Sequence, residues 1–87
     1  MKARKKTLID VIQFNTNDDY NKIKERCNNI ESAIARKSDD IVELITFKTF
    51  SGVQNCYIGD YVNVGDKEPY PIEKEYFENN YEVLEDE

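Results

Sequence analysis

Gly59-Asp60-Tyr61-Val62-Asn63-Val64-Gly65-Asp66, followed by Tyr70-Pro71-Ile72, Tyr76-Phe77 and Tyr81-Glu82-Val83, sets the architecture of this 87-residue chain. The two glycine-aspartate steps read as turns. Gly takes backbone conformations closed to other residues, and Asp closes turns with its own side chain. Tyr61 to Val64, between them, reads as a short strand. Pro71 has no backbone donor, which confines its segment to a sheet edge or a strand start. Glu73 to Asn79 reads as one or two helical turns with Tyr76 and Phe77 facing inward, and Tyr81 to Leu84 as a closing strand.

Working upstream, Ile41 to Phe50 carries the clearest strand pattern. Ile45 and Phe47, with Glu43, face one way, while Leu44, Thr46 and Lys48 face the other. Ser51-Gly52 marks a hairpin, and Val53 to Ile58 returns antiparallel. Ser38-Asp39-Asp40 is a turn. Ala33 to Lys37 fits either a short edge strand or a continued helix. A helix spans about Asp18 to Asn28. Thr16 and Asp19 match a capping box, and Asp18 and Asp19 suit the positive end of the helix dipole. Tyr20, Ile23, Cys27 and Ile30 form its apolar stripe, and Asn28-Asn29 suits a left-handed cap. Thr7 to Phe14 is β-rich. Its apolar residues Leu8, Val11, Ile12 and Phe14 do not alternate cleanly, so this strand is bulged or buried on both faces.

The expected class is α+β: short antiparallel strands forming a curved sheet or partly open small barrel, packed on one main helix, with a second short C-terminal helix. Residues 1–87 make a single domain, with a basic, flexible start over 1–6 and a frayed acidic end over 85–87. A chain this short buries roughly 60% of the surface its unfolded form exposes, which leaves little volume for a deep active site.

Formal net charge is −6. Lys2, Arg4, Lys5 and Lys6 make the start basic, whereas Asp60 to Glu87 holds ten acidic residues against Lys67 and Lys74. Such an acidic face is either a solvated surface or a complement to a basic partner, such as a nucleic-acid-handling protein. It disfavours direct binding to duplex nucleic acid, which needs clustered Lys and Arg. No stretch reads as a membrane span or signal peptide, and the expected compartment is the cytoplasm, where Cys27 and Cys56 stay reduced.

The chain has no histidine, which removes the commonest general base and the commonest metal ligand. Two distant cysteines make no zinc site without nitrogen ligands, and three glycines form neither nucleotide-binding fingerprint. Asp60, Asp66 and the pair Asp39-Asp40 read as turn-closing residues rather than catalytic carboxylates. The chain is therefore expected to be no enzyme, with no catalytic residue, metal or cofactor. Tyr57, Tyr61, Tyr70, Tyr76, Phe77 and Tyr81 crowd the C-terminal half, and most of them read as core or half-buried wall. The alternative is that some tyrosines form an exposed patch, since tyrosine suits binding surfaces, offering large area with few rotors. The candidate partner surface is Asp60, Tyr61, Asp66, Glu68, Tyr70, Glu73, Glu75, Glu78 and Glu82. Under an alternative reading, Arg26, Arg36 and Lys37 contact a small anionic ligand such as a nucleotide signal.

Lys2 to Lys6, Ile12-Gln13-Phe14, Gly59-Asp60-Tyr61, Tyr70-Pro71-Ile72, Phe77 and Tyr81-Glu82 together resemble a group of small uncharacterised proteins from phages and prophages of Gram-positive bacteria. The chain departs from that pattern at Ile58, where a proline often precedes the glycine-aspartate step, and at Phe14 and Tyr61, where a tryptophan is often seen. The resemblance implies no activity and no catalytic residues. It implies a phage accessory protein in the cytoplasm of a bacterial host that binds and modulates a host protein, as a counter-defence or host-takeover inhibitor. A nucleotide-sequestering protein and a minor virion component are the alternatives, and homo-oligomerisation is left open.

Overall fold

The structure, a computed structural model, describes residues 2–4 and 8–84. The strands are β1 (Lys2–Arg4), β2 (Leu8–Gln13), β3 (Ile30–Ala35), β4 (Val42–Thr49), β5 (Gly52–Tyr57), β6 (Tyr61–Asn63), β7 (Tyr70–Ile72) and β8 (Glu82–Leu84). Helix α1 (Asn17–Arg26) follows β2, and α2 (Lys74–Asn80) follows β7. All strand pairs are antiparallel, in the orders β7-β6-β2-β1-β8 and β3-β4-β5. The fold is the small α+β arrangement expected, and no pairing among the described residues closes a sheet into a barrel.

β2 holds the first sheet together. Its first half, from Leu8 to Asp10, pairs with β1, and its second half, from Val11 to Gln13, pairs with β6. Its irregular apolar pattern has a plain cause, since it is buried on both faces. Phe14, just past its end, joins Ile23 of α1, Ile45 and Phe47 of β4, Cys56 of β5, Val62 and Val64 in one core. Val11 joins Tyr61, Ile72 and Phe77 in a second core under α2. The β2–β6–β7 part of the sheet thus lies between α1 with the three-stranded sheet on one side and α2 on the other.

Local signals mostly set the elements where the sequence places them. Thr16 and Asp19 form the capping box: the Asp19 N–H donates to Thr16 Oγ1 at 3.2 Å, and the Thr16 N–H donates to Asp19 Oδ2 at 3.0 Å. Asn17 then ties α1 to β4, accepting from the Val42 N–H at 2.9 Å and donating to the Asp40 carbonyl at 3.0 Å. Gly52 closes the β4–β5 hairpin at φ +114°, a conformation that favours glycine. Pro71 sits on the edge strand β7, as its missing donor requires.

Four expectations need correction. The left-handed cap at Asn28-Asn29 does not form: α1 ends at Arg26, Cys27 is extended, and Asp40 alone among the described non-glycine residues has a positive φ. Asn29 instead spends its amide nitrogen on the Lys48 and Pro69 carbonyls, at 3.0 and 2.8 Å. Ile30 leaves the helix stripe and opens β3, although it still packs on the α1 core. Tyr76 does not pack inward beside Phe77: it is 45% exposed, whereas Phe77 is 1% exposed. Lys2–Arg4, expected within a flexible start, is a strand between β2 and β8. Residues 1, 5 and 6 of that start and the acidic end 85–87 lie outside the described residues.

Candidate partner-binding groove

The turn Ile58-Gly59-Asp60 is where β2, β5, β6 and α2 meet. Gly59 adopts φ +101°, its N–H donates to the Phe14 carbonyl at 2.7 Å, and its carbonyl accepts from Gln13 Nε2 at 3.1 Å. Asp60 is 9% exposed. Its Oδ2 accepts from the Tyr57 N–H at 2.9 Å and its Oδ1 from the Lys74 N–H at 3.0 Å. Lys74 is the first residue of α2, so this carboxylate caps the helix in place of Glu73, whose side chain makes no cap bond. Asp60 thus closes its turn with its own side chain, as expected of an aspartate after glycine, but it is a buried structural group and not part of the candidate partner surface.

Tyr61 is corrected in the same way. It is 6% exposed and stacks on Phe77, with ring centroids 3.7 Å apart and planes at 14°. Burial, and then the charge of Glu78, raises its hydroxyl above the ordinary tyrosine value. Phe77 in turn stacks on Tyr81 at 4.8 Å, and Tyr76 meets Tyr81 edge-on at 6.4 Å. The ring series therefore runs from a buried member, Tyr61, outward to the surface.

At its outer end is an open groove of about 460 Å³ lined by Tyr70, Pro71, Ile72, Glu73, Tyr76 and Tyr81. Tyr70 is anchored there, its hydroxyl accepting from Asn63 Nδ2 at 3.2 Å. A second hollow of about 400 Å³ adjoins it through Glu73 and is lined by Lys74, Glu75 and Glu78 as well. The structure thus brings together Tyr70, Glu73, Glu75 and Glu78 of the expected surface. Asp66 and Glu68 are exposed in the loop between β6 and β7 and line neither hollow. Glu82 is exposed on β8, beside Tyr81.

Sequence reasoning missed Tyr76 and Tyr81 as groove walls. Adjacent residues on a helix point about 100° apart, so when Phe77 lies at the centre of the buried face Tyr76 falls at its margin. That geometry, applied to a helix this short, separates the buried ring from the exposed one.

The cations of the alternative reading are not gathered. Arg26 bridges to Asp10 at 3.2 Å from the last turn of α1. Arg36, past the end of β3, is clasped by Asp39 at 2.6 Å and Glu43 at 3.2 Å. Hydrogen bonding to Asp39 raises the Arg36 guanidinium further and lowers the Asp39 carboxyl. Lys37 is exposed in the following turn.

Neither thiol is set up as a nucleophile. Burial pushes Cys27 up to about 11, against the lowering effect of Arg26, and pushes Cys56 up to about 12, with Asp60 adding to the rise. Both stay protonated at neutral pH. No group of three or more potential metal-ligating side chains occurs among the described residues, and no helix among them is long and apolar enough to cross a membrane. Compared with protein families, curated proteins and solved structures, the chain matches none.

Proposed function

We propose that this protein is a non-enzymatic binding protein that engages a basic protein partner through the tyrosine-glutamate groove on β7 and α2. The observation that carries this reading is the convergence of Tyr70, Tyr76 and Tyr81 with Glu73 around one open groove. A Lys or Arg side chain of the partner pairs with Glu73 at the groove, its aliphatic stem lying against tyrosine area. Glu75 and Glu78 extend the acidic field, which speeds association and selects basic partners. Tyrosine and arginine are also the side chains that most often dominate interface energies.

The biological setting that fits is the one the resemblance implies: a phage accessory protein acting on a host protein with a basic surface, in the host cytoplasm. The test uses the full chain as bait against lysate of a Gram-positive host at low and high salt, beside Tyr76→Ala and Glu73→Lys baits. The expected result is a basic protein held at low salt, released at high salt and lost by both variants. Equal recovery on all three baits would reject the groove as the binding site.

A further inference from the structure

We infer that β3 is a pairing edge for a second copy of this chain. Two Ile30–Ala35 strands join antiparallel about a two-fold axis at Ile34 and fuse two three-stranded sheets into one. This pairing involves a different part of the molecule from the groove and stands independently of it.

The inference begins with the segment Ile30-Glu31-Ser32-Ala33-Ile34-Ala35. Among the described strands β3 pairs with β4 alone. Residues 31–35 are all exposed, and Ile34 is 54% exposed. An open strand edge is a template for another strand, and folded proteins guard such edges with charge, proline, shortness or a covering element. The other edges of these sheets are guarded. β7 carries Pro71, β5 packs alongside β7, and β8 is three residues long and carries Glu82. Ser32 to Ala35 has no charge and no proline.

Backbone direction fixes which groups are offered. The Arg36 N–H donates to the Ile41 carbonyl, and the Arg36 carbonyl accepts from the Asp40 N–H, both at 2.8 Å. Arg36 thus turns inward, and strand alternation turns Ala35 and Ala33 outward. With the axis at Ile34, Ala33 of each copy faces Ala35 of the other, and each such pair exchanges both of its N–H···O bonds. The small alanine side chains let the strands approach. Ile34 then faces its own counterpart at the non-hydrogen-bonded centre, where side chains come closest. Within one copy Ile34 already aligns with Leu44 and Tyr57 across the sheet. Pairing joins two such rows end to end and gives Ile34 an apolar neighbour on its open side.

Charge selects the direction and the occupant. Exposed Glu31 precedes the uncharged stretch and exposed Lys37 follows it. Glu31 lies at the irregularity between Ile30 and Ser32, and Lys37 lies in the turn past Ala35. Antiparallel pairing brings the Glu31 end of each copy to the Lys37 end of the other, twice by symmetry, whereas parallel pairing brings like ends together. Arg36 is already committed to Asp39 and Glu43 of its own chain.

Sedimentation equilibrium over a concentration series tests the proposal, with circular dichroism confirming that each variant is folded. The wild type is expected to reach twice the 10.2 kDa chain mass. Ala33→Pro removes an outward donor while sparing the inward ladder, and it should weaken the dimer about tenfold or more. Glu31→Lys and Lys37→Glu should each weaken it, and the double reversal should restore it. Ile34→Cys should cross-link under mild oxidation, because facing Cα atoms about 4.5 Å apart lie within disulfide range. The wild type, with Cys56 buried and Cys27 half-buried, should not cross-link. A wild type that stays monomeric throughout would overturn the proposal. So would a dimer indifferent to Ala33→Pro and to both single reversals, or one in which Ile34→Cys fails to cross-link. Pairing of the edge with an unrelated strand but never with itself would appear as the first of these results.

Discussion

Asp60 holds the first residue of α2, Lys74, by its backbone: the Lys74 N–H donates to Asp60 Oδ1 at 3.0 Å while Oδ2 takes the Tyr57 N–H at 2.9 Å. One buried carboxylate therefore fastens the helix that carries the groove to the end of β5. Asp60→Ala strands both donors and is expected to cost about 1–3 kcal/mol, the range for removing one partner from buried hydrogen bonds. Asp60→Asn keeps one acceptor and should cost less. Thermal unfolding checks this, since about 1 kcal/mol moves the midpoint by roughly 4–8 °C in a domain of this size. A midpoint unchanged in Asp60→Ala would show that α2 is anchored by packing alone.

Gly59 makes the Asp60 contact geometrically accessible. At φ +101° an L side chain is strained, although an added Cβ would meet only Lys74 Cδ, at an ordinary 3.4 Å. The penalty in Gly59→Ala is thus conformational rather than steric, about 1–3 kcal/mol. Denaturant titration is expected to show a lower midpoint at an unchanged slope, because the surface exposed on unfolding is the same.

These two residues also show how far the sequence could be read. The glycine-aspartate step announces a turn, and the turn is there. The turn-closing reading of Asp60 holds, since its Oδ2 takes the Tyr57 N–H. That its Oδ1 would reach a helix N–H 14 positions along the chain is a tertiary fact with no local signature, so its withdrawal from the candidate partner surface is not legible in the sequence. Tyr61 follows the same rule: core and exposed patch are both open to a strand tyrosine until the element that covers it is known, and here α2 brings Phe77 onto it and makes it core. Thr16, Asp19, Gly52 and Pro71 were legible because capping, positive φ and a missing donor act within a few residues. Ala33 to Lys37 is ambiguous in sequence because alanine fits helix and strand alike; pairing with β4 makes Ala33 to Ala35 strand, and Arg36 and Lys37 lie past its end.

Tyr76 and Phe77 should separate binding from stability. Phe77 lies between Tyr61 and Tyr81 and is buried, so Phe77→Ala is expected to cost about 3–5 kcal/mol, enough to threaten folding in so small a domain. Tyr76 keeps an edge-on contact with Tyr81, worth about 0.5–1.5 kcal/mol. Tyr76→Ala should therefore remain folded by circular dichroism while losing affinity for a basic partner. A Tyr76→Ala chain that binds as tightly as wild type would move the interface elsewhere.

The thiols give the chain an alkaline limit. Cys27 and Cys56 hold their protons up to about 11 and 12 in the folded state, whereas an unfolded cysteine releases its proton near about 8.5. Between those values the native state binds more protons than the unfolded one. Stability from this source is thus complete below about pH 8.5 and is lost as pH rises toward the folded values. Tyr61, raised by burial, adds a loss of the same sign, so Tyr61→Phe is the background in which the thiols are isolated. Unfolding free energies from denaturant titrations between neutral and alkaline pH should fall steeply in Tyr61→Phe. They should fall less when Cys56→Ala is added, even though the cavity lowers the neutral value. At neutral pH a thiol reagent should modify Cys56 only as fast as the core opens; rapid labelling of the folded chain would mean that the core around Phe14, Phe47 and Cys56 is not closed.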